Sequence, residues 1–151
     1  MTKQSENCQI CGCQLHRTKN TYARPNAAGR SHASKHHYVP ERFFGRSSNR
    51  KGTQREKIFK TCPWGHEGET AIFCYDCHEE LLHNPILLPE DIKRLSKIIE
   101  ARGIGEATKS ESLESIGERI KLFHEIIEKG LKEIANETAN KGNTADRLRS
   151  G

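Results

Sequence analysis

The chain has 151 residues, 33 % of them hydrophobic and 30 % charged. That length suits one domain of ordinary size, and so modest an apolar fraction implies a small core that needs a staple such as a metal or disulfides. No stretch approaches the roughly 20 apolar residues of a membrane span, and polar residues follow Met1 where a secretory signal would be apolar, so a cytoplasmic protein with no membrane partner is expected.

The net charge of +5 is unevenly spread. Residues 1–60 carry 13 Lys and Arg against 3 Asp and Glu, whereas residues 61–151 carry 12 against 17. Such segregation suits a face that meets a polyanion, for which nucleic acid is the natural candidate. A solvated basic arm would have the same composition.

Residues 1–7 read as a polar, loose start. The run C-Q-I-C-G-C from Cys8 to Cys13 is too tight and glycine-marked for a strand, and reads as a metal knuckle in a turn. Residues 17–35 read as a basic loop. His36 to Phe44 holds a short strand-like piece ended by Pro40. Residues 45–57 form a basic loop without periodicity, and Ile58 to Cys62 extends briefly before a turn at Pro63–Gly65. Thr70 to Phe73 predicts a short apolar strand. A helix is predicted from Tyr75 or Asp76 to about His83, stopped by Asn84–Pro85.

The C-terminal third is helical in pattern. Pro89, Glu90 and Asp91 suit the start of a helix over about 90–102, which Gly103 and Gly105 break. A longer helix is predicted from about Ser110 to Asn136, with Leu113, Ile116, Ile120, Phe123, Ile127, Leu131 and Ile134 three or four apart. That stripe serves equally a hairpin with Ile92, Leu95 and Ile99 or the seam of a homodimer. Residues 140–151 are expected to be a disordered tail. The expected division is thus a core over 1–88, a helical extension over 89–139 and the tail.

The densest chemistry lies in two C-x-x-C units, Cys8/Cys11 and Cys74/Cys77. Four thiolates in two close pairs suit a tetrahedral structural zinc, and in a chain without a secretory signal paired cysteines favour metal over disulfide. Cys62 and His66 form half of a second candidate set, which Cys13 or His16 would complete. His36–His37 and the segment C-Y-D-C-H-E-E-L-L-H, with His78 directly after the last cysteine, add imidazoles. On a strand, neighbours face opposite ways, so His36 and His37 cannot share one role.

In this order, C-x-x-C, H-H-x-x-P and a strand leading into C-x-x-C-H, the residues from about 8 to 88 resemble the HNH (ββα-metal) endonuclease family. The resemblance implies an α+β fold: a treble-clef-like, zinc-stabilised ββα-metal nuclease core, here with a C-terminal helical extension. It implies hydrolysis of DNA phosphodiester bonds, with His37 as general base and His36 and His78 as ligands of one catalytic divalent cation, Mg²⁺, Mn²⁺, Ni²⁺ or Zn²⁺. The family's middle asparagine orients the base. Nine residues before His78 that place is taken by Glu69, a carboxylate able to hold an imidazole by its other nitrogen; Asn49 is the only asparagine between the two histidine elements. His83 follows His78 by five residues, about 140° round an α-helix at ~100° per residue, so it joins the ligands only if the helix is distorted or has ended. The basic stretch 42–60 reads as an insertion relative to the family's hairpin. Lys35, Arg42, Arg46, Arg50, Lys51 and Arg55 are expected to neutralise DNA phosphates, which positions a duplex without reading its sequence. The competing reading is a treble-clef zinc module that binds nucleic acid or protein without chemistry.

Overall fold

The structure is a computed structural model, and it describes residues 6–16, 32–46, 48, 51–105 and 112–149. The elements are strand β1 (Ala33–His37), a 3₁₀-helix (Glu41–Phe44), strand β2 (Thr70–Cys74), a π-helix (Asp76–Leu82), helix α1 (Pro89–Ala101) and helix α2 (Ser112–Arg149). The chain is therefore of mixed α+β class. Arg50 and Asn49, and most of the loop predicted over 17–35, lie outside the described residues. Two compact units are present, Met1–Ile92 and Lys93–Gly151.

In the first unit β1 and β2 pair antiparallel, with His36 opposite Ala71 and His37 opposite Thr70. The first strand lies about one turn of chain earlier than the sequence pattern suggests. Tyr38 and Val39 turn out of the sheet, Val39 is buried, and Pro40 leads into the 3₁₀-helix. Proline cannot donate a ladder hydrogen bond, so the strand has to stop before it.

The core of this unit is small and rich in sulfur. Cys8, Leu15, Ala71, Phe73, Cys74 and Cys77 are buried together, with Cys13, Ala33 and Ile72 packed against them. Half of the buried members are cysteines. A second, aromatic cluster anchors the segment between the strands. Phe59 is 5.9 Å from Phe43, 6.5 Å from Phe44 and 5.3 Å from Trp64, centroid to centroid. The amides of Ile58 and Phe59 both donate to the Phe43 carbonyl, at 2.9 and 3.2 Å. Residues 58–62 thus dock on the 3₁₀-helix instead of adding a strand.

In the second unit α2 runs on through 140–149, where the sequence reading expects a disordered tail. The correction has a simple cause. The segment A-N-K-G-N-T-A-D-R-L-R lacks proline, and a helix already propagating adds residues without paying again for nucleation. Within this unit Arg102 is bidentate to Glu125, at 2.7 and 3.2 Å, and Ser115 Oγ donates to the Ile104 carbonyl at 2.7 Å. Leu122 is buried, whereas Ile126, Ile127, Leu131 and Ile134 are exposed. No helix among the described residues is long and apolar enough to cross a membrane.

Gly45 closes the 3₁₀-helix in the left-handed region (φ 72°), and a Cβ there would stand 3.0 Å from the Arg55 carbonyl oxygen. Both the strained φ and the backbone neighbour oppose any side chain. Gly45→Ala is expected to cost about 1–3 kcal/mol in urea unfolding; an unchanged midpoint would contradict this account of the turn.

Candidate metal centre

The hairpin carries its cysteines to one point. Cys8 and Cys11 sit in a turn closed by backbone bonds from Cys8 N to Cys13 O and from Gly12 N to Cys8 O, both 2.9 Å. Cys74 ends β2, and its sulfur accepts the Cys77 amide at 3.4 Å at the start of the π-helix. The four sulfurs of Cys8, Cys11, Cys74 and Cys77 lie within 4.8 Å of one another.

All six cysteines are free thiols, and the Cys11 and Cys74 sulfurs are 3.8 Å apart. That is far beyond a disulfide bond of about 2.05 Å. It matches the edge of a sulfur tetrahedron, about 3.8 Å, around an ion bound at about 2.3 Å as in zinc thiolates.

The titration behaviour of the thiols fits the same picture. Burial raises the Cys8 thiol, but backbone hydrogen bonds at Cys11, Cys74 and Ile10 outweigh it and bring the pKa down to about 6. Cys77 is pushed strongly up, first by burial and then by hydrogen bonding to the neighbouring cysteines. One thiolate in the cluster thus makes the next more costly, which a cation at its centre would reverse. The donor set can therefore hold a metal ion.

Cys13 stays beside this cluster. Its thiol is pushed up to about 12, chiefly by hydrogen bonding to Cys11. The second set considered from sequence does not assemble. Cys62 donates to the Gly65 carbonyl at 2.9 Å, and His66 pairs with Glu69. Among the described residues neither joins a metal-sized cluster.

The same hairpin and helix gather histidines. Ligand atoms of His36, His78 and His83 lie within 4.8 Å of one another. The ring centroids of His36 and His78 are 5.0 Å apart, those of His78 and His83 4.7 Å, and those of His36 and His83 6.3 Å. His83 arrives there because the segment after Cys74 is a π-helix. Its i→i+5 bonding turns a spacing of five into about one turn, so His83 rises over His78 instead of lying on the far side. The end is set locally. Asn84 Nδ2 donates to the carbonyls of Glu79 and Glu80, both at 3.0 Å, and Pro85 forbids continuation.

Burial, reinforced by neighbouring imidazoles, lowers the pKa of His36. Burial also lowers that of His78, against the opposing pull of Glu79. Both rings are therefore neutral near pH 7, the form that offers a lone pair to a metal.

His37 stands outside the trio. As strand alternation requires, it faces away from the side on which Ser34 and His36 meet the π-helix. Its Nε2 lies 3.3 Å from Glu41 Oε1. Glu69, expected to orient His37, pairs through its carboxylate with His66 Nδ1, and its carbonyl accepts from the Tyr38 amide at 3.2 Å. The carboxylate beside His37 comes instead from the 3₁₀-helix, four residues on across Pro40, a relation no strand pattern signals. Sequence reasoning also passed over Ser34, whose buried Oγ is 2.5 Å from His78 Nδ1. Its place two residues before His36, on the same strand face, was the available signal.

The cations proposed for phosphate lie on and after β1. Lys35, Arg42, Lys51 and Arg55 are exposed. Arg42 lies over the Phe43 ring at 5.6 Å. Arg46 lies over Phe44 at 5.7 Å and forms an ion pair with Glu67, so its charge is partly spent within the fold.

No protein-family model, curated protein or solved structure matches the chain.

Two outcomes test this geometry. Cys77→Ala should lower the bound metal of the purified protein and lower its melting temperature by ten degrees or more, since structural zinc contributes about 10–16 kcal/mol in zinc-finger peptides. Equal metal content by mass spectrometry would refute the sulfur site. The lowered His36 and His78 also make stability depend on pH. Folded, they bind fewer protons than when unfolded, so their contribution is intact above about pH 6.5, the ordinary imidazole value, and is lost as pH falls below it. Urea midpoints of the parent should therefore drop more between pH 7 and 5.5 than those of His36→Gln; equal slopes would contradict the neutral pair.

Proposed function

We propose that the chain is a metal-dependent endonuclease of the HNH (ββα-metal) type, with zinc in the four-cysteine cluster and a divalent cation on His36, His78 and His83. The observation that carries this reading is the histidine trio, assembled by the hairpin and the π-helix directly beyond the sulfur cluster. A purely structural zinc module needs the sulfurs and has no use for three converging imidazoles. The resemblance in motif order and the basic first half of the chain support the same conclusion.

In this proposal three imidazoles hold the cation and leave positions open, as a catalytic site requires. When bound, the cation supplies charge neutralisation at the scissile phosphate and at the departing oxygen. Proton transfer belongs to His37. Glu41, an ionised acceptor near Nε2, favours the proton on that nitrogen and leaves the Nδ1 lone pair to take a proton from water. Lys35, Arg42, Lys51 and Arg55 steady the nucleic-acid backbone on the exposed side of the hairpin and its insertion. DNA is the proposed substrate.

The test is incubation of the zinc-loaded protein with supercoiled plasmid and Mg²⁺, Mn²⁺, Ni²⁺ or Zn²⁺. The parent should nick or linearise the plasmid with at least one cation. His37→Ala should lower the rate by about 10²–10⁴-fold, the usual worth of a general base, with zinc content unchanged. Cleavage by His37→Ala at the parent's rate would remove the base assignment. Binding without cleavage under every cation would favour a treble-clef binding module.

A further inference from the structure

Glu79 stands between His78 of the π-helix and His83, which caps it. Its Oε1 lies 3.4 Å from His78 Nδ1 and its Oε2 3.3 Å from His83 Nδ1. We propose that Glu79 is the positioning residue of the histidine trio: one carboxylate holds the Nδ1 edges of both rings, so that both present Nε2 to the same divalent cation. This rests on the metal role proposed for the trio, and assigns the group that aims two of its three ligands.

The argument is one of donors and acceptors. An ionised carboxylate only accepts hydrogen bonds. The proposal therefore puts the hydrogen on both Nδ1 atoms, where it faces the carboxylate, and leaves the lone pair on both Nε2 atoms. Ser34 Oγ, 2.5 Å from His78 Nδ1, would accept from the same N–H in that tautomer and touches the ring from the strand side. His83 has no such strand partner among the contacts described, and it is half exposed. Besides its ring contacts with His36 and His78, it meets the Glu79 carboxylate.

The backbone explains why one residue can serve both. Glu79 is adjacent to His78 and four residues before His83, and the π-helical turn brings the two rings to a centroid separation of 4.7 Å. In an α-helix the two imidazoles would diverge and a single carboxylate could not span them. A metal-bound histidine that gives its other N–H to a carboxylate is held in tautomer and orientation, and losing that partner commonly costs 10–100-fold in metal affinity.

The experiment is calorimetric titration of Ni²⁺ into the zinc-loaded full chain, with long-range ¹H–¹⁵N spectra of the imidazoles in the Ni²⁺-free protein. In the parent, His78 and His83 should carry their protons on Nδ1. Glu79→Ala should bind Ni²⁺ about 10–100-fold more weakly, and His83 should move towards the Nε2–H form preferred by a free imidazole, while zinc content stays constant. Glu79→Gln keeps one carbonyl acceptor and should fall between parent and Glu79→Ala; it also carries the test if the alanine variant does not fold. Ser34→Ala should disturb His78 and leave the His83 tautomer in place.

Unchanged Ni²⁺ affinity and tautomers in Glu79→Ala would overturn the proposal. So would Glu79→Gln losing as much affinity as Glu79→Ala, which would make the carboxylate a ligand. A parent that binds no Ni²⁺ at the trio would overturn both this role and the cation site on which it rests. A parent that binds Ni²⁺ and cuts no plasmid, with the Glu79 effect intact, would end the nuclease reading alone.

Discussion

The meeting of four sulfurs at one point is the constraint on which the first unit depends. Cys11 and Cys74 are separated by 62 residues, yet their sulfurs lie 3.8 Å apart. Few apolar side chains are available to hold so long a loop closed. Among the described residues, the buried cluster around the sulfurs contains, besides cysteine, only Leu15, Ala71 and Phe73. Burying a leucine or phenylalanine is worth about 1.5–3 kcal/mol. A structural zinc in a comparable setting contributes about 10–16 kcal/mol. An ion in the sulfur cluster would therefore outweigh the entire apolar core beside it.

That constraint propagates into the helix that follows. Cys74 and Cys77 pin its first turn, and Asn84 gathers the carbonyls of Glu79 and Glu80 at the other end. Between these fixed ends the chain adopts the wider π turn, and the histidines five apart come together. Two metal-sized clusters thus share one short segment, sulfur at its start and imidazole along its length. An ion held by the sulfurs would therefore also fix the segment that carries His78 and His83.

The segment between the strands follows a different logic. Its basic composition suggests a solvated loop, yet Phe43, Phe44, Phe59 and Trp64 pack with one another and Gly45 turns the backbone tightly. Some of the charge is neutralised at the surface, since exposed Arg46 pairs with Glu67. Counting lysines and arginines therefore overstates the unpaired positive charge of this segment. Arg42 keeps an exposed side chain while resting on an aromatic ring, which limits its freedom at small cost.

Local order along the chain was enough to mark the two C-x-x-C pairs, the paired histidines, the second strand and the start of both long helices. Those features are carried by spacing and by short-range rules for strands and helix starts, which hold before any tertiary contact forms. Three matters were decided only in the folded chain. Glu41 rather than Glu69 meets His37, because the chain turns back through Pro40 after the strand. His83 joins His78, because a π turn replaces the α turn that periodicity assumes. Helix α2 continues to Arg149, because propagation of a long helix outlasts the weakening of its apolar stripe. In each case the sequence names the residue types, but which of them meet depends on the backbone path the folded chain takes at a proline turn, a π turn and a long helix end, and residue spacing alone does not give that path.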